Sequence, residues 1–263
     1  MATGICKLCL LEKDLQQSHF VGAGLYRIAD KRGGAVVKTQ KLFLGTDKQI
    51  RDYVLCRECE QLFNKKGEDY VMRLVKQDSG NFPLLELLSK HKPIATGPNS
   101  GDRFSGAEIG LDMEKIAYYG LSMFWRAAVH TWPIRVQGQV TGGGKLSADD
   151  LEGMRKYLQG ESGWPSGIVL QVIVCTDLIS QDNVQVPTDW ENDVYMGSSM
   201  VAYGIFFMLI VGVKPDAPEW SLHCLTSPQC WIFRHSCDET TRMLENDLRS
   251  NAKIADNLKQ KKE

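Results

Sequence analysis

Two Cys-x-x-Cys pairs near the N-terminus constrain this chain more than any other feature. Cys6 and Cys9 form the first pair, and Cys56 and Cys59 form the second. A two-residue gap suits a turn that points both thiolates at one ion, and two such turns close a tetrahedral site. The sequence therefore predicts a zinc ion held by four cysteines. Because four cysteine ligands leave no open coordination position, the predicted zinc is structural and stabilises the module around it.

Composition and cysteine usage limit the classes of protein to which this chain can belong. The 263-residue chain has 43% hydrophobic and 24% charged residues, which is typical of a globular protein. Its net charge of −1 gives no overall attraction to nucleic acid or to membranes. The N-terminus lacks the pattern of a secretory signal, and the most apolar stretch, residues 200–213, is too short to cross a bilayer of about 30 Å. Cysteine pairs without an export signal indicate reduced thiolates in the cytoplasm, and no membrane partner is expected.

The residues around the cysteines predict a small module over residues 1–80. Residues 42–44 suit a short strand between the two pairs. Apolar residues at helical spacing over 60–75 predict a helix that packs on the metal site. A turn with two cysteines, a β-hairpin, and a second turn and helix with two more make up the treble-clef arrangement.

The remainder of the chain predicts a larger α+β domain with an antiparallel sheet. Prolines and glycines interrupt residues 81–108, which we interpret as a linker before a domain over residues 109–263. Helices are predicted at 112–131 and 147–159, and strand-like runs follow at 168–175 and 200–213, with shorter ones at 220–225 and 230–233. A charged helix is predicted from Glu239 to the C-terminus. The order of helices first and strands later favours the α+β class.

A histidine between the cysteine pairs suggests chemistry beyond metal binding. The chain runs from Cys6-x-x-Cys9 through Ser18-His19-Phe20-Val21 to Leu55-Cys56-x-x-Cys59. In this order it resembles the HNH endonucleases, many of which build a treble clef on two Cys-x-x-Cys pairs. The resemblance covers about the first 75 residues. It implies that His19 acts as general base on water, while Mg²⁺ or Mn²⁺ stabilises the phosphodiester under attack.

The chain also departs from the HNH pattern at three places. Ser18 stands where the family usually has Asp, Arg51 and Asp52 stand where its Asn is common, and Glu60 stands where its last His often lies. Since a carboxylate can bind magnesium, Asp52 or Glu60 can serve beside His19. The alternative is that catalysis has been lost and that His19 is a structural histidine.

The order of motifs is also similar to that of a group of uncharacterised bacterial proteins. The shared features are Leu25-Tyr26 after Ser-His, Glu60 after the last cysteine, and a helix containing Leu121-Ser122-x-x-Trp125-Arg126-Ala127. Within that helix, two interpretations of Trp125-Arg126 are open. Arg126 can be presented in a cleft beside Trp125, or Trp125 can lie in the core with Arg126 bonded to carboxylates or carbonyls; the second is the commoner arrangement.

Basic residues between the cysteine pairs suggest contacts to DNA or RNA. Residues 1–80 contain 14 Lys and Arg against 10 Asp and Glu. The basic residues that we expect in or near the hairpin loop are Arg27, Lys31, Arg32, Lys38, Lys41 and Lys48. A basic loop that is only solvated is the alternative.

Two functional hypotheses follow from the sequence. The first is a zinc-stabilised nucleic-acid-binding protein that acts as an HNH-like endonuclease. The second is a non-enzymatic protein in which zinc is purely structural and the α+β domain binds a protein partner, a small ligand or a second copy of the chain.

Overall fold

The computed structural model describes residues 2–31, 35–38, 43–46, 49–97, 101–133, 146–191, 196–213 and 231–235. The helices are α1 (Ala23–Lys31), α2 (Arg57–Phe63), α3 (Asp69–Val71), α4 (Pro83–Ser89), α5 (Met113–Ala128), α6 (Ala148–Gln159) and α7 (Leu178–Asp182). The strands are β1 (Ala2–Ile5), β2 (Glu12–His19), β3 (Ala35–Lys38), β4 (Phe43–Thr46), β5 (Arg51–Cys56), β6 (Ala95–Gly97), β7 (Gly101–Ser105), β8 (Ile168–Cys175), β9 (Val184–Glu191), β10 (Met196–Ala202), β11 (Ile205–Val211) and β12 (Trp231–His235). This mixture confirms the predicted α+β class.

A small antiparallel sheet of order β1-β2-β5 carries the cysteines. The first pair lies in the turn between β1 and β2, and the second lies where β5 runs into α2. A π-helical turn, Asn64–Glu68, joins α2 to α3, so the predicted helix over 60–75 is three short segments. The order of metal turn, paired strands and helix is that of the predicted treble clef.

A large sheet of order β4-β3-β9-β10-β11-β8-β12-β7-β6 forms the body of the protein. Its neighbours are antiparallel except for the β3–β9 and β12–β8 pairs. Strands β3 and β4 come from the segment between the cysteine pairs, and β6 and β7 come from residues 81–108. Residues from the first 80 positions also share one hydrophobic cluster with α5 and the large sheet. The domain boundaries at residues 80 and 108 stay predictions.

Helix α5 forms the centre of the core. Asp112, the first residue of the helix predicted at 112–131, caps it by accepting a hydrogen bond from the backbone nitrogen of Lys115 at 3.1 Å. Gly120 is explained by packing, since a Cβ there would lie 2.7 Å from Phe207 of β11. The missing side chain lets the helix approach the sheet closely. The predicted helix α6 is also confirmed, with a capping box between Ser147 and Asp150.

Other expectations are corrected or fall outside the described residues. The apolar run at 200–213 is not one strand, because Tyr203 and Gly204 both have positive φ, of 38° and 92°, and turn the chain from β10 into β11. Residues 23–31, where no helix was predicted, form α1, whose buried Leu25, Tyr26 and Ile28 hold it against the core. The strand expected at 220–225 and the C-terminal helix from residue 239 lie outside the described residues.

Candidate functional site

The four predicted metal ligands converge in the structure. The Sγ atoms of Cys6, Cys9, Cys56 and Cys59 all lie within 4.8 Å of one another, and those of Cys9 and Cys56 are 3.9 Å apart. Four sulfurs at about 2.3 Å from a tetrahedral metal would be roughly 3.8 Å apart, so a small shift brings the set to ligand distances. Cys9 is partly exposed and the other three are buried. The cluster is therefore able to coordinate a metal ion.

Local backbone geometry positions the first cysteine pair. The nitrogen of Leu10 donates to the carbonyl of Cys6 at 2.9 Å, and the nitrogen of Cys6 donates to the carbonyl of Leu11 at 2.9 Å. These bonds close the turn between β1 and β2. Leu10 has a φ of +60°, which costs a non-glycine residue about 1–2 kcal/mol. A strained leucine at the metal turn shows that the geometry of the cluster overrides local preference.

Hydrogen bonds within the cluster favour a thiolate. The thiol of Cys59 and backbone nitrogens, including that of Cys56 at 3.3 Å, donate to Cys6 and lower the pKa of that thiol to about 4. Donation to Cys6 and burial raise the pKa of Cys59, and burial raises the pKa of Cys56 to about 11. The shared protons lie where a cation would replace them.

An arginine from α6 bonds to the turn between β1 and β2 that carries Cys6 and Cys9, which we call the metal turn. Nη1 of Arg155 donates to the carbonyl of Leu8, between the first two cysteines, at 3.1 Å. The rest of the guanidinium bonds the carboxylates of Glu152 and Glu161 at 2.8–3.3 Å. Arg155 thus ties a helix from the second half of the chain to the cysteine cluster, and all its donor nitrogens are used.

The predicted catalytic histidine, His19, ends β2 and is held by two neighbours. Its Nε2 lies 2.7 Å from Oε1 of Gln49, and its ring centroid lies 5.8 Å from that of Tyr26. The phenol oxygen of Tyr26 accepts a hydrogen bond from Ile50, the residue after Gln49, at 3.1 Å. When Nε2–H donates to the amide oxygen, Nδ1 keeps its lone pair and can accept a proton.

A cavity of about 280 Å³ opens beside this histidine. It lies between the end of β2, the helix that follows β5, and α5. The charged side chains, the histidine and the asparagine that line it are His19, Arg57, Glu60, Asn64, Glu68 and Arg126. Two acidic and two basic groups therefore surround one histidine in a shared space.

The structure separates the two carboxylates that the sequence offered as partners of His19. Glu60 lines the same cavity as His19, and its Oε1 is buried with no hydrogen-bond partner among the described residues. Asp52 does not line this cavity and lies 2.9 Å from Nε2 of His130. Burial raises the pKa of Asp52, but hydrogen bonds from His130 and from the nitrogen of Tyr53 outweigh this and hold it below its usual range.

Ser18, which stands where the HNH pattern has Asp, has a structural role. It is fully buried, and its hydroxyl accepts a hydrogen bond from the nitrogen of Leu55 at 3.0 Å. This bond lies next to an irregularity in the pairing of β2 with β5, between Gln16 and Gln17. The Ser18 side chain therefore pairs with a backbone nitrogen close to the place where the strand register shifts.

Three residues of this site were not chosen from the sequence. Asn64 and Glu68 follow Glu60 at four-residue intervals, which places the three on one helical face, a pattern that could have indicated them. Glu68 is only 7% exposed and accepts a hydrogen bond from the nitrogen of Gly24 at 3.4 Å. Gln49 reaches His19 from 30 residues away, so no local pattern indicates it. Arg126, which the sequence offered as a residue of a cleft, also reaches His19.

Both interpretations of Trp125-Arg126 hold in part. Trp125 is buried, with its ring edge-on to Phe63 at 6.1 Å. Arg126 is 1% exposed, stacks its guanidinium at 4.9 Å from the centre of the Phe63 ring, and donates from Nη1 to the carbonyl of His19 at 2.7 Å. The tryptophan belongs to the core, whereas the arginine forms part of the cavity wall.

The predicted nucleic-acid contacts are only partly described. Arg27 and Lys31 are exposed on α1, in the segment between the cysteine pairs, and Lys31 pairs with Asp78 at 3.1 Å. Lys38 belongs to β3, but its side chain, like Arg32, Lys41 and Lys48, lies outside what the structure describes. Binding to nucleic acid stays a prediction.

Comparisons with protein-family models, curated proteins and solved structures found no match for this chain. In the part of the chain that the structure describes, no helix combines the length and the apolar character needed to span a bilayer. Any functional conclusion therefore rests on the geometry of the cysteine cluster and of the cavity beside it.

Proposed function

We propose that this protein is a zinc-stabilised, metal-dependent phosphodiesterase acting on nucleic acid, with His19 as its general base. One observation carries the proposal: His19, oriented by Gln49, and Glu60 face the same cavity, between the end of a paired strand and the helix that follows. The cysteine cluster lies at the start of β2, the strand that ends in His19, and at the start of the helix that supplies Glu60. Cys56 and Cys59 flank the start of the helix that supplies Glu60, so zinc fixes the helix relative to the strand.

The chemistry assigned to the cavity is hydrolysis. Nδ1 of His19 takes a proton from a water molecule as the water oxygen forms a bond to phosphorus. The bond from phosphorus to the leaving oxygen breaks, and solvent supplies the proton for the alkoxide. A magnesium or manganese ion held by Glu60, with Asn64 and Glu68 beside it, would stabilise the negative charge of the phosphate. Gln49 holds the imidazole in the tautomer that this step requires.

The test is cleavage by purified, zinc-loaded protein. Plasmid DNA and a single-stranded RNA are incubated with the protein in magnesium, in manganese and in excess chelator for the catalytic ion. We expect cleavage that requires the added ion and that His19→Ala abolishes at unchanged zinc content. His130→Ala is the matched control, because this second histidine lies outside the cavity and its loss should leave cleavage intact.

The two carboxylates give a second discrimination. Glu60→Gln should lower cleavage strongly because Glu60 shares the cavity, whereas Asp52→Asn should lower it little because Asp52 pairs with His130. Absence of cleavage of either substrate by the wild-type protein, or full cleavage by His19→Ala, would refute the proposal.

A protein-interaction role is the second candidate, and exposed apolar side chains favour it. Ile5, Leu10 and Leu11 are 62%, 55% and 55% exposed and lie around the metal turn. Apolar side chains grouped on a surface often mark a contact with another protein. If the wild-type protein neither cleaves nor binds nucleic acid in a salt-sensitive way, this candidate stands, and self-association that Leu10→Ser reduces would support it.

A further inference from the structure

Two buried arginines of this protein differ in how their charges are compensated. Arg155 is 8% exposed and bonds two carboxylates and one carbonyl. Arg126 is 1% exposed, and within the part of the chain that the structure describes its side chain has one hydrogen bond, from Nη1 to the carbonyl of His19. Among the described residues, its Nε and Nη2 have no acceptor. Arg126 therefore combines the deeper burial with the poorer pairing.

A buried guanidinium without an anion is unfavourable, because its charge has left water without compensation. The ring of Phe63 covers one face of Arg126, which accounts for part of its environment but supplies no acceptor. Glu60 and Glu68 line the same cavity, yet neither forms an ion pair with Arg126 within the described residues. The fold thus holds a cation in the wall of a cavity, and two of its donor nitrogens have no acceptor in the described segments.

We propose that Arg126 is a phosphate-binding subsite of this cavity. Its Nε and Nη2 donate to two oxygens of one phosphate group, the side-by-side geometry that a guanidinium offers and an ammonium does not. The inference rests on the proposed function, in which this phosphate is the group attacked in nucleic acid. The bond from Nη1 to the carbonyl of His19 places the subsite at the general base, so that one arginine contacts the substrate and positions the strand end that carries His19.

The two carboxylates of the cavity shape the expected ion dependence. Glu60 and Glu68 would repel a phosphate unless a divalent cation lies between them and the anion. Binding of phosphate should therefore be tighter with magnesium present than in excess chelator, while the contribution of Arg126 remains in both conditions.

The experiment measures binding of inorganic phosphate by calorimetry, and then of a dinucleotide with one internal phosphodiester, to the zinc-loaded full chain. Arg126→Lys keeps a positive charge but loses the paired donors, so we expect affinity for both probes to fall by about tenfold or more. Arg155→Lys is the matched control, since the same exchange at a fully paired arginine outside the cavity should leave affinity unchanged. A dinucleotide that binds much more weakly than inorganic phosphate would assign the subsite to free phosphate.

A measurement on the wild-type protein tests the subsite even if Arg126→Lys fails to fold. The Nε–H signal of Arg126 in a nitrogen–proton spectrum should shift on titration with phosphate and remain in place with sodium acetate. Absence of saturable phosphate binding, equal affinity in folded Arg126→Lys, or an unmoved Nε–H signal would each overturn the subsite.

The outcomes also separate this inference from the proposed function. His19→Ala should keep phosphate binding while losing cleavage. If phosphate binds through Arg126 but no cleavage occurs, the subsite is supported and the proposed phosphodiesterase activity is refuted. If cleavage depends on His19 but Arg126→Lys leaves phosphate binding unaffected, the phosphodiesterase activity is supported and the subsite is refuted.

Discussion

Removing the metal from the four-cysteine cluster should unfold the segment that surrounds it. The sulfurs of Cys9 and Cys56 are 3.9 Å apart, so two thiolates at that distance repel by about 4 kcal/mol at an effective dielectric constant near 20. Four thiolates make six such pairs, and their sum of more than about 20 kcal/mol exceeds the roughly 5–15 kcal/mol that stabilises a typical domain. Without a cation, most of the thiols must therefore remain protonated.

A zinc ion bound there would reverse this balance, because it would replace the shared protons and attract all four sulfurs. Structural zinc sites contribute about 10–16 kcal/mol, which is comparable to the whole stability of a domain. This free energy would stabilise the β1–β2 turn and the junction of β5 with α2, because the zinc ion would link these two segments directly. We expect zinc-free protein to lose the native packing of this region and to release protons when zinc is restored.

Metal analysis combined with thermal unfolding checks this prediction. Purified protein should contain about one zinc per chain. Cys59→Ser should lose zinc and melt at a lower temperature, whereas Cys175→Ser, which changes a buried cysteine outside the cluster, should retain zinc. Zinc-free wild-type protein with an unchanged melting curve, or disulfides among the four cysteines, would refute the reasoning.

Three further perturbations test packing and charge near the site. Gly120→Ala gains about 1 kcal/mol of helix propensity but overpacks the sheet, so urea denaturation should show a net loss of about 1–2 kcal/mol. Arg155→Met leaves a buried carbonyl of the metal turn unpaired and should cost about 1–3 kcal/mol, against less than about 0.5 kcal/mol for the exposed neighbour Lys156→Met. His130→Gln should raise the pKa of Asp52, measured by NMR titration, towards the ordinary value of an aspartate, because the hydrogen bond from His130 that lowers it is lost. A carboxylate with a lowered folded pKa stabilises the fold above its unfolded pKa, and this is lost as pH falls through the folded value, so the variant should lose less stability in acid.

Each of these has a contrary result. A stabilised Gly120→Ala would mean that the sheet yields to the added methyl group. Equal losses for Arg155→Met and Lys156→Met would show that the bond to the metal turn adds nothing. An unchanged titration of Asp52 in His130→Gln would show that the pair does not form in solution.

Local chemistry made much of the fold predictable. The two-residue gaps of the cysteine pairs already require turns that point two sulfurs at one ion. Asp112 before α5, and Ser147 with Asp150 at α6, satisfy the free nitrogens of helix ends, so those helices begin where the sequence predicts. The run at 200–213 was harder, because strong strand formers on both sides of a single glycine do not show that the chain reverses there.

The cysteine ligands, the fold class and the presence of a histidine between the cysteine pairs were determined by the sequence alone, because each rests on spacing or on periodicity within a short segment. Which groups surround that histidine was decided by tertiary structure. Gln49 lies 30 residues from His19, and Arg126 lies 107 residues away. Pairing of β2 with β5 brings Gln49 to His19, and packing of α5 against the end of β2 brings Arg126 there. The same packing directs Asp52 to His130 and leaves Glu60 in the cavity, a choice between two carboxylates that no pattern in the sequence contained.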